Sequence, residues 1–349
     1  MTSRDYGAAQ NMVPIIKNLL LNKDINLIIL AQNPAFNYFK NKNLNPILVS
    51  DNEVEIEKYL NNLFSSSKQD IVLTGLSGFN VGIDEIILKC NSRAITFTLQ
   101  DYWGDVNGKL QVYADYYFVI DKKAALITKR KTNKEVFIMG GLPKYFNIKY
   151  HKYESKKRNN KKIIVFFGQP LWSLHSYRRV IKDLAYIGKE LKNKIQLIYK
   201  VHPAEKNILK YKYLFNNMTL SEVSSNQLLY VADLSLSINS TCGFDNVYLQ
   251  KYTNFSLSKH AFILYKKDLR KFFYKNLFSR KHPLSMQGLV IDIGNKSELY
   301  RLIKSEKIEH SMNNLKKDIF LDSNEIILQI EKRIIEKFKE KESNEKFRQ

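Results

Sequence analysis

The chain has 349 residues, 44% of them apolar, enough to bury one large core or two medium ones, and its length favours two domains. Its formal net charge of +22 favours contact with polyanions (nucleic acid, anionic lipid or phosphorylated substrates) without choosing among them. Cys90 and Cys242 are too few and too far apart for a disulfide framework or a cysteine-based metal site. With no run of about 18 apolar residues and no signal-peptide order at the amino terminus, a cytoplasmic protein is expected.

In chain order, "MTSRDYGAAQ" places a turn at Arg4 to Gly7 with almost nothing ahead of it. A parallel sheet normally opens with a strand of about five or six residues, so either the first strand is very short or the native start lies upstream. Strands are predicted at "INLIILA" (26–31 and just after), "NPILVS" (45–50), "DIVLTG" (70–75), "AITFTL" (94–99), "YYFVID" (116–121) and "EVFIMGG" (135–141). Each is apolar on both faces, as a strand covered on both sides requires. Amphipathic patterns such as "AAQNMVPIIKNLLLNK" and "EVEIEKYLNNLF" lie between them, and this alternation implies crossover connections and a parallel sheet. The polar, basic "NIKYHKYESKKRNNKK" reads as a linker.

The pattern then restarts, with strands at 162–168, 195–201, 232–238, 252–258 and 288–294 and helices near 174–191, 224–231, 241–250 and 296–305. Residues 310–342 read as mostly charged helix. The expectation is an α/β chain of two doubly wound, Rossmann-like domains facing a cleft: an acceptor domain over 1–150, a donor domain over 160–308, and charged helices over 309–349 available to pack back on the first domain.

In open parallel sheets ligands bind at the carboxyl ends of strands, where loops and helix amino termini converge. His202 follows a strand in "KVHPAE", and Pro203 fixes the backbone after it, so its ring is a candidate donor to an anion; an isolated surface histidine is the plain alternative. In "INST", Ser240 and Thr241 offer hydroxyls and amides at a helix start, either an anion site or an ordinary cap.

"KVHP" followed by "LSEVSSNQLLYVADLSLSINSTCGFDNVYLQK" resembles the carboxyl-terminal half of bacterial GT-B glycosyltransferases and glycerophosphotransferases, a group that includes capsule polysialyltransferases, Kdo transferases with a His-Pro motif and CDP-glycerol-dependent polymerases. "SRDYGAAQN", "TGLSG" and "GGLPKYF" resemble, to a lesser degree, the first domain of such enzymes. The resemblance implies a GT-B fold and puts His202, Ser240 and Thr241 on the donor's phosphate, with Thr241 nearest. Where the family often has a ribose-holding Glu, this chain has Asp245, shorter by one methylene.

On that reading the residues around the leaving phosphate are Lys200, His202 and Pro203, acting as fixed cation or donor, with Asn239 beside Ser240. Gly168 and Gln169 would let backbone approach the same ligand. An inverting transfer needs a base. Asp5 leads, with a helix cap as its alternative; Asp84 and Glu85 follow, then Asp101 and Asp105, all equally readable as solvated loop carboxylates. Arg4, Gly7 and Ser77 complete the acceptor-side candidates. No Asp-x-Asp, phosphate-loop or dinucleotide fingerprint occurs, so neither metal nor cofactor is expected beyond the donor.

The basic aromatic segment 259–283 carries eight Lys or Arg against one Asp, with Phe262, Tyr265, Leu269 and Phe272 at helical spacing. It reads as a helix lying on anionic lipid at the inner face of the membrane, or as an amphipathic helix packed on the second domain. The expected function is transfer of a CMP-activated acidic sugar (sialic, pseudaminic, legionaminic or Kdo type) to a bacterial surface glycan, capsule or lipopolysaccharide, or to a lipid-linked acceptor. CDP-glycerol-type transfer, UDP-sugar transfer and 2-epimerisation are the alternatives within the fold. A nucleic-acid-binding protein is the non-enzyme alternative, although no helix-turn-helix, zinc finger or RNA-recognition motif is present.

Overall fold

The computed structural model describes residues 1–66, 70–78, 80–91, 93–146, 161–205, 208–253, 259–277, 281–305 and 323–346. They divide into two units, Met1–Ile148 with Lys317–Gln349, and Lys149–Lys316.

The first unit runs β1 (Thr2–Ser3), α1 (Tyr6–Leu19), β2 (Leu30–Ala31), α2 (Ala35–Lys40), β3 (Ile47–Leu48), α3 (Glu53–Ser66), β4 (Ile71–Thr74), α4 (Ile83–Cys90), β5 (Ile95–Leu99), β6 (Tyr116–Val119), α5 (Lys122–Thr132) and β7 (Glu135–Ile138). Its strands form one parallel sheet in the order β3-β2-β1-β4-β5-β6-β7. The order reverses between β1 and β4, which is where a doubly wound sheet opens a crevice at its carboxyl edge. β1 has only two residues, but both are fully buried and pair with β2 and β4, so shortness does not cost it the central place.

The second unit runs β8 (Lys162–Phe167), α6 (His175–Glu190), β9 (Ile195–Lys200), β10 (Thr219–Ser221), α7 (Ser225–Val231), β11 (Leu234–Ser237), α8 (Cys242–Thr253), β12 (His260–Ile263), α9 (Lys267–Leu277), α10 (Pro283–Met286), β13 (Ile291–Ile293) and α11 (Lys296–Lys304). Its parallel sheet has the order β10-β9-β8-β11-β12-β13, with the reversal between β8 and β11. Ile164, Val165, Phe166 and Phe167 of β8 are buried on both faces, which is why this run reads as continuously apolar.

α12 (Ser323–Lys346) belongs to the first unit, where Ile326, Ile327, Ile330 and Ile334 enter the core formed by Met12, Ile15 and Ile16 of α1 and Phe97 and Phe118 of the sheet. The isoleucine spacing of three and four residues gives this otherwise charged helix one apolar stripe.

Three sequence expectations change. The strand expected at 252–258 stands at His260–Ile263; residues 252 and 253 end α8, and 254–258 lie outside the described residues. "HAFI" is fully buried and pairs on both edges, with β11 and β13, which a surface helix could not do. The amphipathic helix read into 259–283 therefore begins only at Lys267, and Phe262 belongs to the sheet. β10, α2, α4 and α5 had no prediction, because short or polar segments carry little periodic signal. Most of the expected linker, 147–160, is outside the described residues.

Candidate functional site

In the first unit the loops after β1 and β4 meet around a buried carboxylate. Asp84, in the first turn of α4, has no solvent exposure. It accepts hydrogen bonds from the Thr2 hydroxyl (2.6 Å), the Ser77 hydroxyl (2.9 Å), the Arg4 amide (3.1 Å) and the Gly75 amide (3.2 Å). Burial raises its affinity for a proton, and the Thr2 and Ser77 hydroxyls oppose that. Asp84 and Ser77 are thus engaged in holding β1 to β4. Glu85 is likewise buried, accepting from the Gly82 amide at 2.9 Å and pairing with Lys109; neither carboxylate is a solvated loop group. Arg4 donates to the carbonyls of Ser77, Asn80 and Val81, so its guanidinium fixes the loop after β4.

Two carboxylates remain at this edge without such commitments. Asp5 occupies the amino-terminal cap position of α1 but makes no side-chain cap bond; its Oδ1 accepts instead from Arg4 Nε at 3.3 Å, and its side chain is 39% exposed. Burial raises its proton affinity, with Arg4 the main opposing charge. Asp101, after β5, lies against Gly7, where an added Cβ would stand 2.6 Å from its Oδ2. Burial pushes Asp101 up to about 7, reinforced by Asp5 and Asp105 and opposed by Lys144. Gly78, with φ of +58°, leaves room for Asp5 Oδ2, which a side chain there would strike. Asp105 accepts from the Asn107 amide at 3.3 Å.

In the second unit the loops after β8, β9 and β11 are joined by one path of hydrogen bonds. The Asn239 amide donates to Gln169 Oε1 (3.0 Å), and the Gln169 amide donates to the Tyr177 hydroxyl (2.9 Å). Tyr177 and Tyr199 hydroxyls lie 2.8 Å apart, Tyr199 donates to Glu205 Oε1 (2.6 Å), and the His202 amide donates to Glu205 Oε2 (2.6 Å). Trp172 Nε1 also donates to Glu205 Oε1, at 2.7 Å, and its ring stacks on Tyr211 at 4.4 Å. The buried Glu205 therefore anchors the His-Pro turn from beneath.

His202 itself is partly buried. Its Nδ1 accepts from the Ala204 amide at 3.1 Å, which places the single hydrogen of a neutral ring on Nε2. Burial, and then Lys200, lowers the imidazole to about 4, so at neutral pH it is an uncharged donor. Lys200 Nζ donates to the Val201 carbonyl (2.8 Å) and more distantly to that of Glu222 (3.4 Å). Pro203 is exposed. Gly168 answers a different need from the one its sequence position implied: an added Cβ would stand 2.5 Å from the Tyr199 hydroxyl, so the glycine makes room for a protein ring.

At the start of α8, Ser240 Oγ accepts from the Cys242 amide (3.2 Å), and the Thr241 carbonyl accepts from the amides of Phe244 (2.8 Å) and Asp245 (3.0 Å). Asp245 is 8% exposed in the first helical turn. Among the described residues, the Thr241 amide and hydroxyl have no protein partner.

The sequence expectations assign no role to Glu205, Tyr177, Tyr199 or His260. A polar aromatic on the inward face of an apolar strand, as Tyr199 is on β9, is the available signal.

Strand order and carboxyl-edge loops together define two Rossmann-like units of GT-B type. No protein-family model matches the sequence, and no curated protein is found similar to it. Solved structures share the fold. The Methanocaldococcus jannaschii UDP-GlcNAc 2-epimerase in complex with UDP-GlcNAc and UDP aligns at 16% identity with a TM-score of 0.64, covering 95% of this chain and 97% of that one. The S. aureus MnaA–UDP co-structure aligns at 14% identity with a TM-score of 0.66, covering 93% and 92%. The glycotransferase of kitacinnamycin aligns at 9% identity with a TM-score of 0.51, covering 93% and 92%. At these identities the likeness is one of fold. Among the described residues, no helix is long and apolar enough to cross a membrane.

Proposed function

We propose that the chain is an enzyme of nucleotide-activated sugars: a transferase whose second unit holds the donor by its phosphate and whose first unit supplies the base. The observation that carries this reading is the hydrogen-bonded path from Asn239 to His202. It fixes three loops at the switch point of the second sheet, where ligands of doubly wound sheets bind. In this reading the leaving phosphate accepts from the Thr241 amide, the Ser240 and Thr241 hydroxyls and His202 Nε2. Fixed neutral donors stabilise the charge that develops there as the bond to the sugar breaks. Asp101 takes the acceptor's proton, because a carboxyl near 7 is matched to proton transfer at neutral pH. Asp5, engaged with Arg4, keeps the neighbouring charge that supports that value. The donor favoured by the His-Pro resemblance is a CMP-activated acidic sugar, and the acceptor a surface glycan or lipid-linked saccharide. The exposed basic residues Lys267, Arg270 and Lys271 of α9 suit an anionic surface.

A second reading, 2-epimerisation of a UDP-sugar, is favoured by the solved epimerases that share the fold. One experiment separates the two. The protein is incubated with CMP-, CDP- and UDP-activated donors, with and without a saccharide acceptor, and nucleotide release and sugar configuration are followed. Acceptor-dependent release of CMP supports transfer from a CMP-sugar; a changed UDP-sugar without acceptor supports epimerisation; inertness toward every donor overturns both.

A further inference from the structure

His260 lies in the sheet directly under the start of α8. It, Ser235 and Ser237 have no solvent exposure. The parallel register sets His260 opposite Ser235, and the ring spans the two serines of β11: Nδ1 is 2.9 Å from Ser235 Oγ and Nε2 is 2.8 Å from Ser237 Oγ. Ser237 Oγ also accepts from the Ser240 amide at 3.2 Å. These contacts close in one direction only. The Ser240 amide donates to Ser237, Ser237 donates its hydroxyl hydrogen to Nε2, Nδ1–H donates to Ser235, and Ser235 reaches the Lys259 carbonyl at 3.5 Å. The other tautomer would leave the Ser237 hydrogen without an acceptor among the described residues. α8 rests on this assembly: at Gly243 an added Cβ would stand 3.1 Å from His260 Cδ2 and 2.9 Å from Phe262 Cζ.

The amides beside Thr241 are all taken internally. Asn239 donates to Gln169, Ser240 to Ser237, Cys242 to Ser240 Oγ, and Gly243 to the Ser240 carbonyl. Among the described residues, what the loop leaves without a protein partner is the Thr241 amide and hydroxyl, beside the half-buried Ser240 hydroxyl. Their directions depend on where Ser240 is held, and Ser240 is held by Ser237 and His260. We infer that His260 is a positioning residue: acting through Ser237, it orients the Ser240–Thr241 loop toward a tetrahedral anion. This rests on the nucleotide reading for the identity of the anion, but the positioning itself can be measured without any ligand.

The test is hydrogen exchange of the 239–243 amides in the ligand-free full chain, together with the Kd for CMP and UDP, in wild type, Ser237→Ala, His260→Asn and His260→Gln. Glutamine reaches far enough to set an oxygen where Nε2 stands; asparagine does not. Loss of one buried hydrogen bond corresponds to about a tenfold change, so exchange is expected to rise about tenfold in Ser237→Ala and His260→Asn and to stay near wild type in His260→Gln. The Kd of whichever nucleotide binds is expected to follow the same order. Wild-type exchange in Ser237→Ala, or equal acceleration in the asparagine and glutamine variants, overturns the inference. Ser237→Ala removes a single oxygen and decides the matter if His260→Asn fails to fold. If wild type binds no nucleotide, the functional reading falls while the exchange comparison still judges the positioning role.

Discussion

The two units share the strand order 3-2-1-4-5-6, which the first extends by a seventh strand, yet they secure the crevice beside the first strand by different chemistry. The first uses charge: Asp84 gathers four donors, Arg4 gathers loop carbonyls, and Asp5 and Asp101 remain beside them. The second uses neutral groups around one carboxylate, with Tyr177, Tyr199, Trp172 and two uncharged histidines. On the proposed reading the contrast is a division of labour: Asp101 with its raised proton affinity would serve proton transfer, whereas a loop that is to bind an anion gains from donors that bring no negative charge of their own.

The sharpest way to break this comparison is to remove each anchor. Asp84→Ala would leave two hydroxyls and two amides without their acceptor and is expected to cost about 4 kcal/mol of stability. Glu205→Ala would orphan the Trp172, Tyr199 and His202 donors at a cost of about 3 kcal/mol. Chemical unfolding of both variants checks the order; a milder loss for Asp84 than for Glu205 would reverse the assignment of charge as the first unit's main fastening.

Next in size are the chemical roles. His202→Ala is expected to lower turnover about 100-fold with an unchanged melting temperature, the effect of losing one transition-state donor. Asp101→Asn should abolish transfer while nucleotide affinity, measured by calorimetry, persists. Turnover that survives Asp101→Asn would send the search for the base back to Asp5. Gly168→Ala, forced onto the Tyr199 ring, is expected to cost about 2 kcal/mol by thermal unfolding.

The pH dependence has opposite signs for Asp101 of the first unit and for the buried histidines of the second. Folded Asp101 keeps its proton up to about 7, whereas the unfolded carboxyl releases it near 4, so stability falls as pH rises through that window. His202 at about 4 and His260 at about 3 stay neutral when folded while the unfolded rings charge below about 6.5, so stability falls as pH drops from there. Asp101→Asn should therefore stabilise the protein more at pH 8 than at pH 4, read from melting temperatures. Equal shifts at both values would show that Asp101 titrates in the ordinary range.

Much of this was legible in the chain itself. Runs such as "KIIVFFG" are apolar on both faces because they lie between helical layers, and that pattern is local, so it survives in the sequence. The positions of His202 and Ser240–Thr241 at strand ends were legible for the same reason: each follows its strand by two to four residues. Asp84 was not legible as a buried group, because its partner Thr2 stands on a strand 82 residues away, and Ser77 is buried with it as a donor to the same carboxylate. "KHAFIL" misled because a basic, aromatic stretch satisfies helical spacing and strand alternation at once, and only pairing on both edges decides between them.

The sequence by itself determined two doubly wound parallel sheets and the strand ends at which polar residues gather, since hydrophobic periodicity is written residue by residue. Tertiary structure alone decided which of those polar residues face one another. Strand order and register bring His260 beside both serines of β11, the Asn239 amide onto Gln169, and Trp172 onto Glu205. No local pattern specifies a hydrogen-bond partner that the chain reaches only after crossing the sheet.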